Sequence, residues 1–404
     1  MFHLSPAPGK CALPPPELPP AVPTSELAPA SLLQGKGYTI DPVTRTDGFM
    51  GLFQLHTRYG TYQCVGREML YLRIYELRAL EKMDQGMKTK AFGDALGAAA
   101  VEPVTDVVKI ARNPVRSVAH MPVGVGHLFM EIGGGFAGAG GALFHIGRHD
   151  PSPQPPPSRE GMAGYNVARN QWARRFAVDP YTTNRPLELK LNHLGMISFG
   201  TDKVAGAAVG FGIGSFGTLA DWLSYLPDVD DHLMTAPPPE VAAVDTRRME
   251  KLGIPKTAMK PLLDNPWFTP TLQIRYVNDL AKLRNVTDLP AAVRLAGKAQ
   301  SEEQTRFLCG GLEMLDRYQK TIGPLREFQA FQGVPAAIAG DGALVVAAPI
   351  DLLSWTHIAE SFAAHRDPHR PAWLYVAGPL TPRAQQGFAE LGWKVCDLPP
   401  SGHR

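Results

Sequence analysis

Two glycine patterns stand out among the residues whose spacing could do chemistry. Each matches G-x-G-x-x-G, and the glycines are Gly133, Gly135 and Gly138, and Gly212, Gly214 and Gly217. In a dinucleotide site this pattern joins a strand to a helix that faces the pyrophosphate, and a second strand carries an acidic residue. The acids after the second match, Asp228 and Asp230, lie instead in a turn-like Pro-Asp-Val-Asp-Asp run. We therefore predict that the chain binds no cofactor.

Two histidine pairs have a spacing that could bind a metal ion. Ligands on one helix face stand four residues apart, and the pairs with this spacing are His145 with His149 and His365 with His369. Gly147 interrupts the first pair and Pro368 the second, and both residue types disfavour a continuous helix. We therefore predict no metal site and interpret these histidines as surface residues.

A third candidate chemistry is nucleophilic catalysis by Ser354, His357 and Glu360. All three fall on one predicted helix, and that spacing gives no good geometry for a relay from serine to base to acid. We interpret them as a polar helix face, so the catalytic residues, if any exist, stay unknown.

Two glycine-rich apolar stretches, 132–147 and 204–220, are the most informative feature of the chain. Residues four apart share one helix face, and glycines recur at this spacing: Gly134 and Gly138, and Gly206, Gly210 and Gly214. Such a face lets two helices approach closely in a bilayer. Glycine is about 1 kcal/mol less favourable than alanine in a helix in water, so packing or lipid must compensate. We predict that these five glycines form a helix-packing or membrane-contacting face.

The environment of this face stays open. Neither stretch reaches the roughly 20 clean apolar residues of a spanning helix, and charges flank the second stretch at Lys203 and Asp221. The two stretches could insert in lipid as a closely packed helical hairpin, or pack against a partner subunit. They could equally permit tight helix crossings inside a soluble core.

The elements that must position these residues predict an α+β fold that is mainly helical. Alternating apolar and polar residues over 53–64 predict an N-terminal β-hairpin. Helical periodicity follows over 67–84, with Leu70 and Ile74 on the buried face and Arg73 mostly outside it. Further helices are predicted over 165–176, 270–283, 291–299 and 302–320.

The C-terminal residues predict a small α/β domain with the order ββαβαβ. Its hairpin turns at 340–342, because Asp-Gly is a strong turn signal. A helix over 351–364 begins with Asp351 as its N-cap, and a second helix begins at Thr381 and Pro382.

Parallel strands at 372–376 and 393–396 should flank that second helix through a right-handed crossover. A ligand of this domain would bind at their carboxyl ends, near 378–381 and Cys396. This is a rule of placement and predicts no activity.

Proline-rich segments divide the chain into predicted parts. These are a disordered Pro-rich tail (1–34), a hairpin-plus-helices domain with the first glycine-rich segment (35–150), a linker (151–160), a helical region with the second glycine-rich segment (161–331) and the small α/β domain (332–404). The boundaries follow shifts in composition.

Charge and cysteine usage exclude some functions. The 404 residues carry a formal net charge of +2, without the clustered basic face that nucleic-acid binding needs. A membrane, a membrane protein or a second copy of the chain stays open as a partner. Four cysteines, Cys11, Cys64, Cys309 and Cys396, stand far apart and show no metal spacing. A disulfide from Cys64 or Cys309 to Cys396 stays open for an oxidising compartment.

Several short runs after residue 35 resemble a group of Gram-negative bacterial proteins without an assigned activity. The runs are 37–41, 47–49, 59–62, 73–77, 265–268 and 381–384. The resemblance implies a periplasmic or membrane-associated location in the cell envelope, because similar proteins are often exported. No signal peptide is visible, so a cytoplasmic location is expected if no leader is missing. The resemblance assigns no functional residue.

Together these patterns favour a non-catalytic, envelope- or membrane-associated structural or interaction protein that uses its glycine-rich helices for close packing. The alternative is a soluble enzyme with a site between the central helices and the C-terminal α/β domain. The sequence identifies neither a substrate nor a partner.

Overall fold

The computed structural model describes residues 13–87, 163–198 and 236–397. Outside these ranges lie both glycine-rich stretches with their five predicted packing residues, Gly134, Gly138, Gly206, Gly210 and Gly214, and the predicted linker 151–160. The described residues form 11 α-helices and two β-sheets, which confirms the predicted mixture of α and β structure.

Helices account for most of the regular structure. The first four are α1 (Thr24–Leu27), α2 (Arg67–Gly86), α3 (Ala163–Arg175) and α4 (Arg185–Ser198). The other seven are α5 (Pro238–Lys251), α6 (Lys256–Leu263), α7 (Pro270–Lys282), α8 (Leu289–Ala296), α9 (Glu302–Thr321), α10 (His357–Ala364) and α11 (Pro382–Glu390). Serine or threonine side chains cap α7, α9, α10 and α11 by accepting a hydrogen bond from the first turn. These local caps agree with the predicted starts of α7, α9 and α11.

The N-terminal sheet is antiparallel and has six strands. They are β1 (Ala21–Pro23), β2 (Gln34–Gly35), β3 (Tyr38–Ile40), β4 (Val43–Thr46), β5 (Gly51–Thr57) and β6 (Gly60–Val65). The predicted hairpin is present as β5 and β6. The opposite edge of β5 pairs first with β4 and then with β3. Phe53, Leu55 and Cys64 point into the core below.

Residues 13–34, predicted as part of a disordered tail, are ordered. Composition suggested an extended leader, but β1 pairs with β4, from Ala21 opposite Arg45 to Pro23 opposite Val43. Leu27 is buried in the core beneath the sheet. Long-range pairing therefore overrides the local preference of a proline-rich segment.

The C-terminal sheet has five strands in the order β11-β10-β9-β8-β7. They are β7 (Leu325–Phe331), β8 (Val334–Ala339), β9 (Leu344–Ala348), β10 (Ala372–Val376) and β11 (Trp393–Asp397). Strands β7 to β9 form an antiparallel meander, whereas β9, β10 and β11 are parallel. The parallel pairing of the last two strands confirms the prediction.

Two details of this region were predicted wrongly. Strand β7 replaces the end of the predicted helical region, because it pairs along its length with β8. Helix α10 begins at His357 rather than at residue 351, and Thr356 rather than Asp351 caps it. Asp351 is engaged elsewhere, as described below.

Two cores share the described residues. The N-terminal core contains residues of the N-terminal sheet, α2, α3 and α4, and the C-terminal core contains residues of α5 to α11 and of the C-terminal sheet. Phe49 and Met50, in the loop between β4 and β5, belong to the C-terminal core, and Leu352 belongs to the N-terminal core. The cores therefore interlock rather than meeting at a flat interface.

Helix α9 packs directly on the C-terminal sheet. Gly311 faces Pro335, where an added Cβ would lie 2.6 Å from the proline Cγ, and Gly310 faces Pro349. Leu308 and Leu312 are completely buried there. Apolar side chains thus fill the space between this central helix and the sheet.

Candidate functional site

The predicted ligand position lies at the carboxyl ends of β10 and β11, and the chain's own N-terminal segment covers its β10 side, at Thr381. The Glu17 carboxylate accepts a hydrogen bond from the Trp355 backbone amide at 2.8 Å and another from the Thr381 hydroxyl. The Trp355 indole donates to the Pro14 carbonyl oxygen at 2.8 Å. Because Thr381 caps α11, Glu17 lies where an anion could bind at a helix N-terminus. Cys396, also predicted near this position, is a half-buried free thiol.

Asp351 fastens the same edge to the N-terminal sheet. Its Oδ2 accepts hydrogen bonds from the amides of Gly51 at 3.0 Å and Arg67 at 3.1 Å, and its Oδ1 accepts one from Arg67 Nε at 2.9 Å. Arg67 is the first residue of α2. Asp351 therefore caps a helix that lies far away in the sequence, which local cap signals cannot reveal.

A cluster of charged side chains, which we call the charged seam, lies between the two cores. It consists of Glu68, Arg73 and Glu76 from α2, Arg275 from α7, and Glu302, Arg306 and Glu313 from α9. Acidic and basic groups alternate along it, so each charge has an opposite neighbour. Arg73 was predicted mostly outside the buried face of α2, but it is buried because this ion-pair network surrounds it.

The centre of the seam is built on two glutamates. Arg275 Nη1 and Arg306 Nη1 donate to Glu68 Oε1 at 2.7 Å and 3.0 Å. Arg306 also donates to Glu302 Oε1, from Nη2 at 2.7 Å and from Nε at 2.9 Å. Arg73 Nη2 lies 3.7 Å from Glu302 Oε2 and so joins α2 to α9.

The other end of the seam holds the loop between α3 and α4. Arg73 Nη1 donates to Glu76 Oε2 at 2.7 Å. The Thr182 hydroxyl donates to Glu76 Oε1, and the Asn184 amide donates to Glu76 Oε2 at 3.0 Å. Tyr62 extends the network by donating from its hydroxyl to Asn184 Oδ1 at 3.2 Å.

The electrostatics of the seam favour ionised carboxylates. Burial raises the pKa of both Glu68 and Glu302, but the charges of Arg275 and Arg306 bring the pKa of Glu68 below its ordinary value. Arg306 and Arg73 do the same for Glu302. A carboxylate with a lowered pKa is a poor proton acceptor at neutral pH. The seam therefore has the properties of a structural fastening rather than of an acid–base catalyst.

The structure separates Ser354 from His357 and Glu360, which were predicted to share its helix and which both lie on α10. Ser354 lies in the loop before α10, where it is fully buried and donates from Oγ to the Gly48 carbonyl oxygen at 3.1 Å. His357 is exposed, and its Nδ1 lies 3.8 Å from Glu360 Oε2. The prediction of one polar face is wrong for Ser354, because α10 begins three residues after it.

The remaining candidate positions are also separate. His365 Nδ1 lies 2.6 Å from the Ser361 carbonyl oxygen, and His369 is exposed before β10. His145, His149 and both G-x-G-x-x-G patterns lie outside the described residues. Within the described ranges, no three His, Cys, Asp or Glu side chains form a group that could hold a metal ion. Cys64, Cys309 and Cys396, the cysteines of these ranges, are all free.

Sequence reasoning missed the charged seam. The only local signals were the i, i+3 spacing of Arg73 and Glu76 and the i, i+4 spacing of Glu302 and Arg306. Such pairs are ordinary on exposed helix faces. Their burial arises from helices that are distant in the sequence, so no local pattern distinguishes them.

Helices α3 and α4 form an antiparallel hairpin. The loop between them contacts α2, where the Tyr75 hydroxyl donates to the Ala177 carbonyl oxygen at 2.6 Å. Near the other end of the hairpin, Gly195 of α4 lies against Tyr165 of α3, and an added Cβ would be 3.2 Å from the tyrosine ring. The start of α3 and the end of α4 therefore lie together.

Helix α2 runs in the same direction as α4. Glu76 binds Asn184 immediately before α4, and Asp84, two turns later in α2, forms an ion pair with Lys190 inside α4. The contacts follow the same order along both helices, so α2 and α4 are parallel, and Asp84 near the end of α2 lies beside the first half of α4.

Comparison with known proteins adds no identity. The chain matches no protein-family model, no curated protein and no solved structure. Among the helices of the described ranges, none combines the length and apolarity needed to span a bilayer. Conclusions about function therefore depend on the geometry of the chain itself.

Proposed function

We propose that the protein is a non-catalytic interaction protein of the cell envelope or a membrane, and that its glycine-rich segments provide close helix packing. The observation that carries this proposal is that the start of α3 and the end of α4 lie together in the α2–α4 cluster. The stretch 132–147 precedes the start of α3 in the chain, and the stretch 204–220 follows the end of α4. Both stretches are therefore linked through the chain to the same end of the α3–α4 hairpin.

A shared point of attachment favours pairing of the two stretches. Linking two segments to one body raises the effective concentration of each around the other. Contact between the Gly134–Gly138 face and the face of Gly206, Gly210 and Gly214 would then offset the unfavourable helix propensity of glycine. The outer faces, which carry most of the apolar side chains, would remain for lipid or a partner subunit.

The described part is suited to hold such segments firmly. The charged seam joins α2 to α9 through Arg73 and Glu302, and Asp351 joins α2 to the C-terminal sheet. Helix α2, which precedes the first segment in the chain, is therefore connected to both cores. A force applied at the end of α2 would therefore be carried by both cores.

Membrane fractionation tests the proposal. The native host is lysed, and its membranes are washed with alkaline carbonate, which strips peripheral proteins. We expect the wild-type protein to remain in the washed pellet. We expect the double variant Gly206→Leu with Gly210→Leu to appear in the supernatant while keeping the circular dichroism of the wild type, because two leucines prevent close helix approach.

The matched control is Ala208→Leu. Residue 208 lies about 200° around a helix from residue 206, so this variant adds apolar volume on the opposite face. It should stay in the pellet. Loss of all three proteins to the supernatant would contradict the packing proposal and would favour the alternative, a soluble enzyme with a site between the central helices and the C-terminal α/β domain.

A further inference from the structure

Asp245 lies in the interface between α5 and α7. It stands midway between Val241 and Met249 on the buried stripe of α5, and its residue surface is 0% exposed. Two contacts with α7 bracket it: Val241 packs with Ile274, and Arg248 Nη1 donates to Asn278 Oδ1 at 3.0 Å. A carboxyl group thus occupies a position where helix packing normally places an apolar side chain.

Neither carboxyl oxygen of Asp245 has a hydrogen-bond partner among the residues that the structure describes. The nearest cation on its own helix is Arg248, whose Nη1 lies 3.8 Å from Asp245 Oδ1 and already donates to Asn278. An ionised carboxylate without hydrogen bonds is strongly unfavourable in a protein interior. The docked helix therefore favours the neutral carboxyl group.

The charged groups on the neighbouring helices are engaged elsewhere. On α7, Arg275 binds Glu68 and Glu313, and Asp279 accepts a hydrogen bond from Lys282 at 3.0 Å. On α6, the ion pairs are Lys256 with Glu250 of α5, at 3.4 Å, and Lys260 with Asp264. None of these groups offsets a negative charge on Asp245.

We propose that Asp245 makes the α5–α7 interface a pH-sensitive latch, which holds α5 on α7 when the carboxyl group is neutral and loosens it when the group is ionised. Burial raises the pKa of Asp245 to about 7, although the charge of Arg248 partly opposes the shift. The latch therefore responds within the range that cells use.

The direction of the response follows from proton linkage. Because the pKa is higher in the docked helix than in an open one, the docked state binds the proton more tightly. Docking is strongest below about pH 4, weakens as the pH rises to about 7, and changes little above that value. Acidification closes the latch and alkalinisation loosens it.

Hydrogen–deuterium exchange of the full chain at pH 5.5 and pH 8 tests the latch, after correction for intrinsic exchange rates. We expect protection of the α5 amides to fall about 30-fold between these values, as linkage requires for a carboxyl group whose pKa is about 7 when docked and 3.8 when open. Protection of α9 should not change. Equal protection of α5 at both pH values would overturn the proposal.

Variants identify the responsible group. Asp245→Asn keeps the shape without the charge, and its α5 protection should be the same at both pH values. Asp245→Leu should also show the same α5 protection at both pH values. This second variant is needed because the buried amide of asparagine could itself disturb the packing. Glu250→Gln, on the exposed side of the same helix, should retain the wild-type drop. A wild-type drop in the Asp245→Asn protein would assign the effect to another group and refute the latch.

Discussion

The charged seam and the α5–α7 interface both bury carboxyl groups, but they differ in what surrounds them. In the seam, Glu302 receives two hydrogen bonds from Arg306 and lies beside Arg73. In the interface, Asp245 has one guanidinium at 3.8 Å and no hydrogen bond among the described residues. Burial raises the pKa of both carboxyl groups. In the seam, the charges of Arg306 and Arg73 more than offset this rise for Glu302, whereas the pKa of Asp245 stays raised. Burial alone therefore does not decide whether a buried acid fastens a fold or loosens it.

The largest expected effect comes from breaking the seam. Glu302→Ala leaves Arg306 and Arg73 buried without their shared carboxylate, and removing one partner of a buried ion pair costs about 3–5 kcal/mol. Urea unfolding at pH 7 should show this loss in the free energy of unfolding. Glu250→Ala, which removes a carboxylate that is 43% exposed, should change it by no more than about 1 kcal/mol. A similar loss of unfolding free energy in both variants would show that the buried ion pairs of Glu302 stabilise the fold no more than an exposed carboxylate does.

The second effect has the opposite sign and depends on pH. Asp245→Asn removes a group whose ionisation opposes folding, so the variant should gain stability relative to wild type as the pH rises from 4 to 8. The pKa of about 7, against an ordinary 3.8, sets an upper limit of about 4 kcal/mol for this gain. Urea midpoints measured across this pH range would show it. A constant difference between the two proteins would mean that Asp245 does not titrate with folding.

Asp279 provides an intermediate case. Burial raises its pKa to about 6, against the charges of Arg275 and Lys282, and its Oδ1 is bonded to Lys282 while Oδ2 has no partner among the described residues. Asp279→Asn should therefore show a smaller pH-dependent gain, about 2 kcal/mol between pH 4 and pH 7. The same urea titrations measure it. A gain larger than that of Asp245→Asn would reverse the proposed ranking.

The smallest effect is expected at the exposed end of the seam. Arg317 lies 3.6 Å from Glu313, and the Glu313 side chain is 41% exposed. Water screens such a pair, so Arg317→Ala should cost no more than about 0.5 kcal/mol. Thermal unfolding in low and high salt would check this value. A large loss here would show that the whole network acts as one unit.

Local signals predicted much of the C-terminal sheet. The strands at 372–376 and 393–396 and the start of α11 at Pro382 match the structure closely, because turns, caps and apolar runs are written in neighbouring residues. The charged seam and the latch were not predictable in this way. Arg73 was expected mostly outside the buried face, and the spacing of Asp245 between Val241 and Met249 does not reveal that its carboxyl oxygens have no hydrogen-bond partner among the described residues. Both depend on which helices come together, a property of the whole chain.

Asp351 also shows that local sequence does not reveal long-range contacts. Its position before a helical pattern made it a reasonable cap for α10, yet it binds Gly51 and the first residue of α2. A carboxylate satisfies whichever backbone amides the fold brings to it. Sequence can therefore identify a group able to cap a helix more readily than the helix it caps.

The contacts of Trp355 with Pro14 and Glu17 have a consequence for the making of the protein. They join residues more than 300 positions apart, and a ribosome adds roughly 5–20 residues per second. Trp355 is therefore synthesised tens of seconds after Pro14 and Glu17. During translation Pro14 and Glu17 can therefore dock only after residue 355 has left the ribosome, whereas the partner strand of β1, β4, is available much earlier.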